Sequence, residues 1–211
     1  MINAQAMILG PFPLFRQSND PNATFWSWFQ VHEKTLYAIR DAQDPMFSRL
    51  LGRLHKVDPD LCFEIGSPNN GQRELILSAG GLKRAFAAVE SLANAAPQLP
   101  RWRIIKFRPR RLDLSSLRID TVTISPKTVL VSYQCNPTNI DVTVFLGHDR
   151  LSQELREQFS FLFLDQALGE FDVETYLGAI HIEPHDASSH LEKVSLEKFV
   201  REFQKFKKQF N

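Results

Sequence analysis

A chain of 211 residues with 43% hydrophobic and 23% charged side chains can bury a core as one domain or two small ones, which excludes a disordered polymer. Its 25 basic and 24 acidic residues leave a net charge of +1, so no global field draws it to nucleic acid or to an anionic membrane, and either would need a local patch. The opening stretch 1–15 has no basic lead, and Gly10, Pro11 and Pro13 break its apolar run. It reads as neither signal peptide nor membrane span, and a cytoplasmic setting is the expectation.

In chain order, Phe25, Phe29, Leu36 and Ile39 line one face of a helix expected over 22–41, with His32 inward as a hydrogen-bonded core residue. Asp44-Pro45 supplies an N-cap and N1 proline for a second helix carrying Phe47, Leu50, Leu51 and Leu54. The period then falls to two. Leu61, Phe63 and Ile65 alternate with Cys62 and Glu64, and Ser67-Pro68-Asn69-Asn70-Gly71 turns into Glu74-Leu75-Ile76-Leu77-Ser78, which predicts a hairpin. A helix with Leu82, Ala85, Phe86, Val89, Leu92 and Ala93 inward follows, then a strand over 102–107.

Farther on, the β-branched run 119–124 reads as one strand. A second hairpin pairs 129–134 with 140–146 through Cys135-Asn136-Pro137-Thr138-Asn139. Asp149 is the expected cap of a helix carrying Leu151, Leu155, Phe159 and Leu162, which Gly169 closes. A strand over 176–183 ends at Pro184, and Ser195 caps a last helix with Leu196, Phe199, Val200, Phe203, Phe206 and Phe210 inward. Cys62 and Cys135 lie in strands and read as reduced, buried packing residues.

The order hairpin, helix, strand thus occurs twice. The expectation is a single α+β domain over 1–211, with an antiparallel or mixed sheet and helices on one face. A duplicated ββαβ unit, dividing the chain at about 22–111 and 112–211, is the finer alternative.

The densest basic cluster is Arg101, Arg103, Lys106, Arg108, Arg110 and Arg111, interleaved with Trp102 and Phe107. Such a patch suits phosphates or an acidic protein; the competing reading turns Trp102 and Ile104 into the core and lines a sheet edge with arginine. Glu64, Asp165 and Glu170 are candidate acidic partners, with pairing to Arg108 or Arg110 their simplest use, and catalytic acid work the other. Ser78-Ala79-Gly80-Gly81 lies between strand and helix, where free N–H groups could hold an anion, although with no P-loop or GxGxxG pattern a plain tight turn is the better reading. His181, Glu183 and His185 share a face at strand spacing, a weak zinc pattern interrupted by Pro184; a solvated strand end is the plainer account, and neither metal nor cofactor is expected. His190 and Asp186 stand beyond it in an apparent loop.

The segments Leu61-Cys62-Phe63-Glu64-Ile65-Gly66, Glu74 through Gly81, Ala96-Pro97 with 102–111, and Leu164-Asp165-Gln166-Ala167-Leu168-Gly169-Glu170 resemble a pattern of uncharacterised bacterial proteins, over most of the chain from Trp26 onward. Such domains are similar in style to small immunity or adaptor proteins. The resemblance implies a bacterial origin and no catalytic residue. With no active-site motif in the chain, the leading expectation is a non-catalytic protein-binding domain whose partner is another protein and whose surface is Arg101, Trp102, Arg103, Lys106, Arg108, Arg110 and Arg111. The alternative is an enzyme acting on a small anionic or phosphorylated substrate through Glu64 or Asp165, with arginines as the clamp. Single-stranded nucleic-acid binding comes third.

Overall fold

A computed structural model describes residues 20–41, 43–147, 151–185 and 192–209. Asp20 accepts from the Asn22 N–H and Pro21 sets the first turn of α1 (Pro21–Ala38), whose Phe25, Trp26, Phe29 and Leu36 are buried. Asp44 caps α2 (Pro45–Leu54) in the same manner. The hairpin β1 (Cys62–Ile65) and β2 (Arg73–Ser78) is antiparallel. After a short 3-10 turn at Lys83–Ala85, α3 (Phe86–Asn94) crosses over so that β3 (Trp102–Lys106) lies parallel to β2. Leu61, Leu75, Leu77, Trp102 and Phe107 share one core with α1, α2 and α3.

Arg73 carries a charge into that core. It is buried, and its guanidinium donates to Gly66 O and to Leu36 O, Tyr37 O and Ile39 O at 2.7 to 3.1 Å. It thereby caps the carbonyls that the end of α1 leaves without intrahelical partners.

The second unit repeats the path. β6 (Val129–Cys135) and β7 (Ile140–Leu146) are antiparallel; α4 (Gln153–Leu168) and α5 (Glu170–Tyr176) cross over; β8 (Leu177–Pro184) returns parallel to β7. In both units the second hairpin strand is central. The halves do not share a sheet: β1-β2-β3 form one, and β8-β7-β6-β9 another, with β9 (Val194–Ser195) leading into α6 (Leu196–Lys207). Val129, Val131, Val142, Phe159, Phe163, Phe199 and Phe203 belong to the second core. The fold is α+β, with mixed sheets.

Several elements differ from the sequence expectations. The single strand read over 119–124 is a small hairpin, β4 (Leu117–Ile119) and β5 (Val122–Ile124), because Asp120 adopts a left-handed φ of 49° that short Asp side chains tolerate. Gly169 closes the helix as expected, and a further helix, α5, which the sequence reading does not include, starts at once. Ser152 caps α4 by accepting from Leu155 N; Asp149 lies outside the described residues, as do Phe210, Asp186 and His190. Cys135 is exposed and Cys62 half-buried, so neither is the core residue expected, although both are free thiols. His32 is also half-exposed, with Nδ1 2.9 Å from Trp28 O and its ring against Trp28. No described helix is long and apolar enough to cross a membrane.

Candidate functional site

Pairing partners in a sheet share a face, and so do residues two apart along a strand. Glu64 pairs with Ile76, and Arg103 with Glu74. Leu75 and Leu77 enter the first core, so the opposite face of this sheet presents Glu64, Glu74, Ile76 and Arg103. That face meets the second half. Between them lies a cleft of about 540 Å³ lined by Glu64, Ile65, Glu74, Arg108, Arg111, Leu117, Leu162, Asp165 and Gln166, among others.

Phe107 bends the chain into this cleft. It leaves β3 with a left-handed φ of 61°, its N–H held by Leu77 O at 2.7 Å, and its ring packs with Phe86 and Phe171 from the two halves. Arg108 follows, with Nε donating to Glu64 Oε1 at 2.7 Å and Nη1 to Asp165 Oδ2 at 3.4 Å. The next residues are stitched to the end of α4: Glu170 N donates to Arg108 O at 3.0 Å, Arg111 N to Gln166 O at 2.8 Å, and Ser115 N to Gln166 Oε1 at 3.3 Å. Gly169 permits the crossing, since a Cβ there would meet Arg110 N at 3.0 Å and its φ of 93° suits no other residue.

Glu170 is the buried centre of the junction. It has no exposed surface, and its Oε1 accepts from Ser78 Oγ (3.0 Å), Ala79 N (2.8 Å) and Gly81 N (3.2 Å), while Oε2 accepts from Arg108 N (3.0 Å). The Ser78-Ala79-Gly80-Gly81 turn therefore does hold an anion, and the anion is the protein's own carboxylate. Gly80 and Gly81, with φ of 61° and 76°, aim the N–H groups inward.

Burial pushes the Asp165 carboxyl up to about 7, with the charges of Glu170 and Glu174 adding to the rise against the pull of Arg108. Burial likewise raises Glu174, helped by Glu170 and opposed by Lys83. Burial would depress Arg108, but its hydrogen bond to Glu64 and the charges of Glu170, Glu64 and Asp165 outweigh that and raise it.

The basic stretch does not form one cationic surface. Trp102 and Phe107 are each only 5% exposed, which removes the two rings offered for base stacking. Arg101 pairs with Glu33 at 2.5 Å and covers the Tyr37 ring, Arg103 pairs with Glu74, and Lys106 reaches Asn94. Arg110 and Arg111 are exposed and form no ion pair among the described residues. Of the acids, Glu64 and Asp165 meet Arg108 through its guanidinium, whereas Glu170 meets its backbone. His181, Glu183 and His185 are exposed at the sheet edge on and just past β8, and among the described residues no group of three His, Cys, Asp or Glu could hold a metal ion.

Sequence reasoning missed Glu74 as a cleft residue; its signal was the strand period that places it two positions from Ile76. It also missed Gln166, whose backbone and side chain tie the 108–115 segment to α4. No family model, curated protein or solved structure matches this chain.

Proposed function

We propose that the chain binds a small polar molecule in the cleft between its halves and exchanges a proton with it through Asp165. The observation that supports this most is Asp165 itself, a carboxyl only 13% exposed, held between Arg108 and two further acids at the wall of a concave site. A group that titrates near neutrality can donate or accept a proton at little cost, and convergent polar groups in a cleft are the usual setting for such chemistry. Ligand-observed NMR with a library of small polar fragments is expected to return binders that are lost in Leu162→Trp, which fills the cleft from α4. An empty screen, or binders indifferent to Leu162→Trp, rules this reading out.

A second reading, protein binding, is favoured by Leu112, which is 86% exposed directly after Arg110 and Arg111 on the stitched segment. With Val200 it lines a shallow hollow that carries Arg110, Arg111 and Arg201 against Asp113 and Glu197, an apolar point with a small basic excess, suited to an acidic protein surface. Non-catalytic adaptor or immunity-like work would then use this corner and not the whole of 101–111. A photo-crosslinking residue at 112 in native cells should capture one protein that the same probe at Val31, 80% exposed, does not. Identical capture at both positions removes this reading.

A further inference from the structure

Arg108 is the obvious anion clamp of the cleft, but its Nε is given to Glu64 and its Nη1 to Asp165. Three acids, Glu64, Asp165 and Glu170, raise it through their charges, so an incoming phosphate would find a guanidinium already surrounded by carboxylates. Glu170 is fully satisfied by its four donors. Asp165 has only the long 3.4 Å contact on Oδ2, and its Oδ1 makes no hydrogen bond among the described residues.

The wall opposite carries Glu64 and Glu74, whose side chains are 39% and 37% exposed. Glu74 is already paired with Arg103 outside the lining, so across the cleft Glu64 and Asp165 stand against two arginines, of which one is already shared. The other is Arg111. Its backbone bonds to Gln166, the neighbour of Asp165, and its exposed guanidinium has no ion pair among the described residues. Ile76, Leu117 and Leu162 add apolar surface between the charged groups.

Resting on the cleft being the binding site, we infer that its ligand is a small zwitterion of the α-amino-acid type, with the ammonium held by Asp165 and Glu64, the carboxylate by Arg111, and an aliphatic side chain against Leu117 and Leu162. An ammonium supplies the donors that Asp165 Oδ1 lacks, and a carboxylate gives Arg111 the bidentate partner its fork fits. A cavity of this size accepts such a molecule with room for one side chain. Where Asp165 carries its proton, the ligand's amine form takes it and pairs with the resulting carboxylate as the ammonium, which is the exchange proposed for this cleft.

The test is an NMR titration of the full chain with L-leucine, 3-methylbutylamine, 4-methylpentanoate and inorganic phosphate. Leucine should saturate and move the backbone resonances of Gly66, Arg111 and Gln166, with the amine and the acid each weaker by about tenfold or more, the loss of one charge-assisted hydrogen bond. Arg111→Ala should remove the preference for leucine over the amine, and Glu64→Gln the preference for leucine over the acid. Equal or tighter binding of 4-methylpentanoate or phosphate makes the ligand an anion, and equal binding of the amine makes it a simple cation; both overturn the zwitterion while leaving the cleft in place. If no probe moves those resonances the inference fails, and the fragment screen with Leu162→Trp decides separately whether the cleft itself survives.

Discussion

Glu170→Ala is expected to lower the unfolding free energy by about 4 kcal/mol, at the upper end of what one substitution does. The side chain is wholly buried and receives four hydrogen bonds, three from the Ser78–Gly81 turn and one from Arg108 N. Its removal leaves the N–H groups of Ala79, Gly81 and Arg108 and the Ser78 hydroxyl without an acceptor, and each buried donor left unmade costs about 1 to 3 kcal/mol, offset where water enters the gap. Glu170→Gln separates charge from shape. Its Oε1 keeps three donors, but its amide faces the Arg108 N–H donor to donor, so a loss of about half that size is expected. Urea denaturation of the three proteins measures this. A loss under about 1 kcal/mol for Glu170→Ala would mean that the halves are held by their apolar contacts alone.

The second large effect concerns pH. An acid whose carboxyl rises from 3.8 to about 7 on folding keeps its proton in the native state over a range where the unfolded chain has lost it. The stability it contributes is complete below about pH 4 and is lost as pH climbs through 7, at about 1.4 kcal/mol per pH unit, or about 4 kcal/mol across the window. Asp60, Asp141 and Glu202, lowered by Arg84, by Ala179 N with Asn136, and by Lys205, act only below the usual carboxylate range. Glu174, raised by burial and by Glu170, slopes the same way as Asp165 above that range, so the total curve does not isolate Asp165. The difference between the wild type and Asp165→Asn does. Asp165→Asn should gain on the wild type from pH 4 to about pH 7 in denaturant titrations and level off above, whatever the offset at pH 4. A difference that stays flat over that range shows that Asp165 ionises as an ordinary surface acid, and removes the proton exchange assigned to the cleft.

The parts of the fold visible in the sequence are those where one local pattern decides. The alternation around Phe63 and the Phe199, Phe203, Phe206 stripe needed no tertiary knowledge, nor did the Asp44-Pro45 cap. The 117–124 hairpin was hidden because each strand has three residues and its turn has no glycine; only the left-handed Asp120 marks it. In the case of α5 the signal was present, as Glu170 and Asp172 supply the acidic first turn, but Gly169 has a second duty that reads only as an ending. At the site, the pairing of Arg108 with Glu64 and Asp165 followed from charge and position. That Ser78 and Glu170, 92 residues apart, share one buried cluster follows from the docking of two sheets, which no spacing encodes.

That separation bears on the order in which the molecule matures during synthesis. The first sheet and its helices draw on residues up to Phe107 and can assemble on the ribosome while the acid that will fill the Ser78–Gly81 turn has yet to be translated. Until residue 170 emerges, the nascent chain presents an open cradle of amide hydrogens, and free phosphate or another acidic segment can occupy it in the interval.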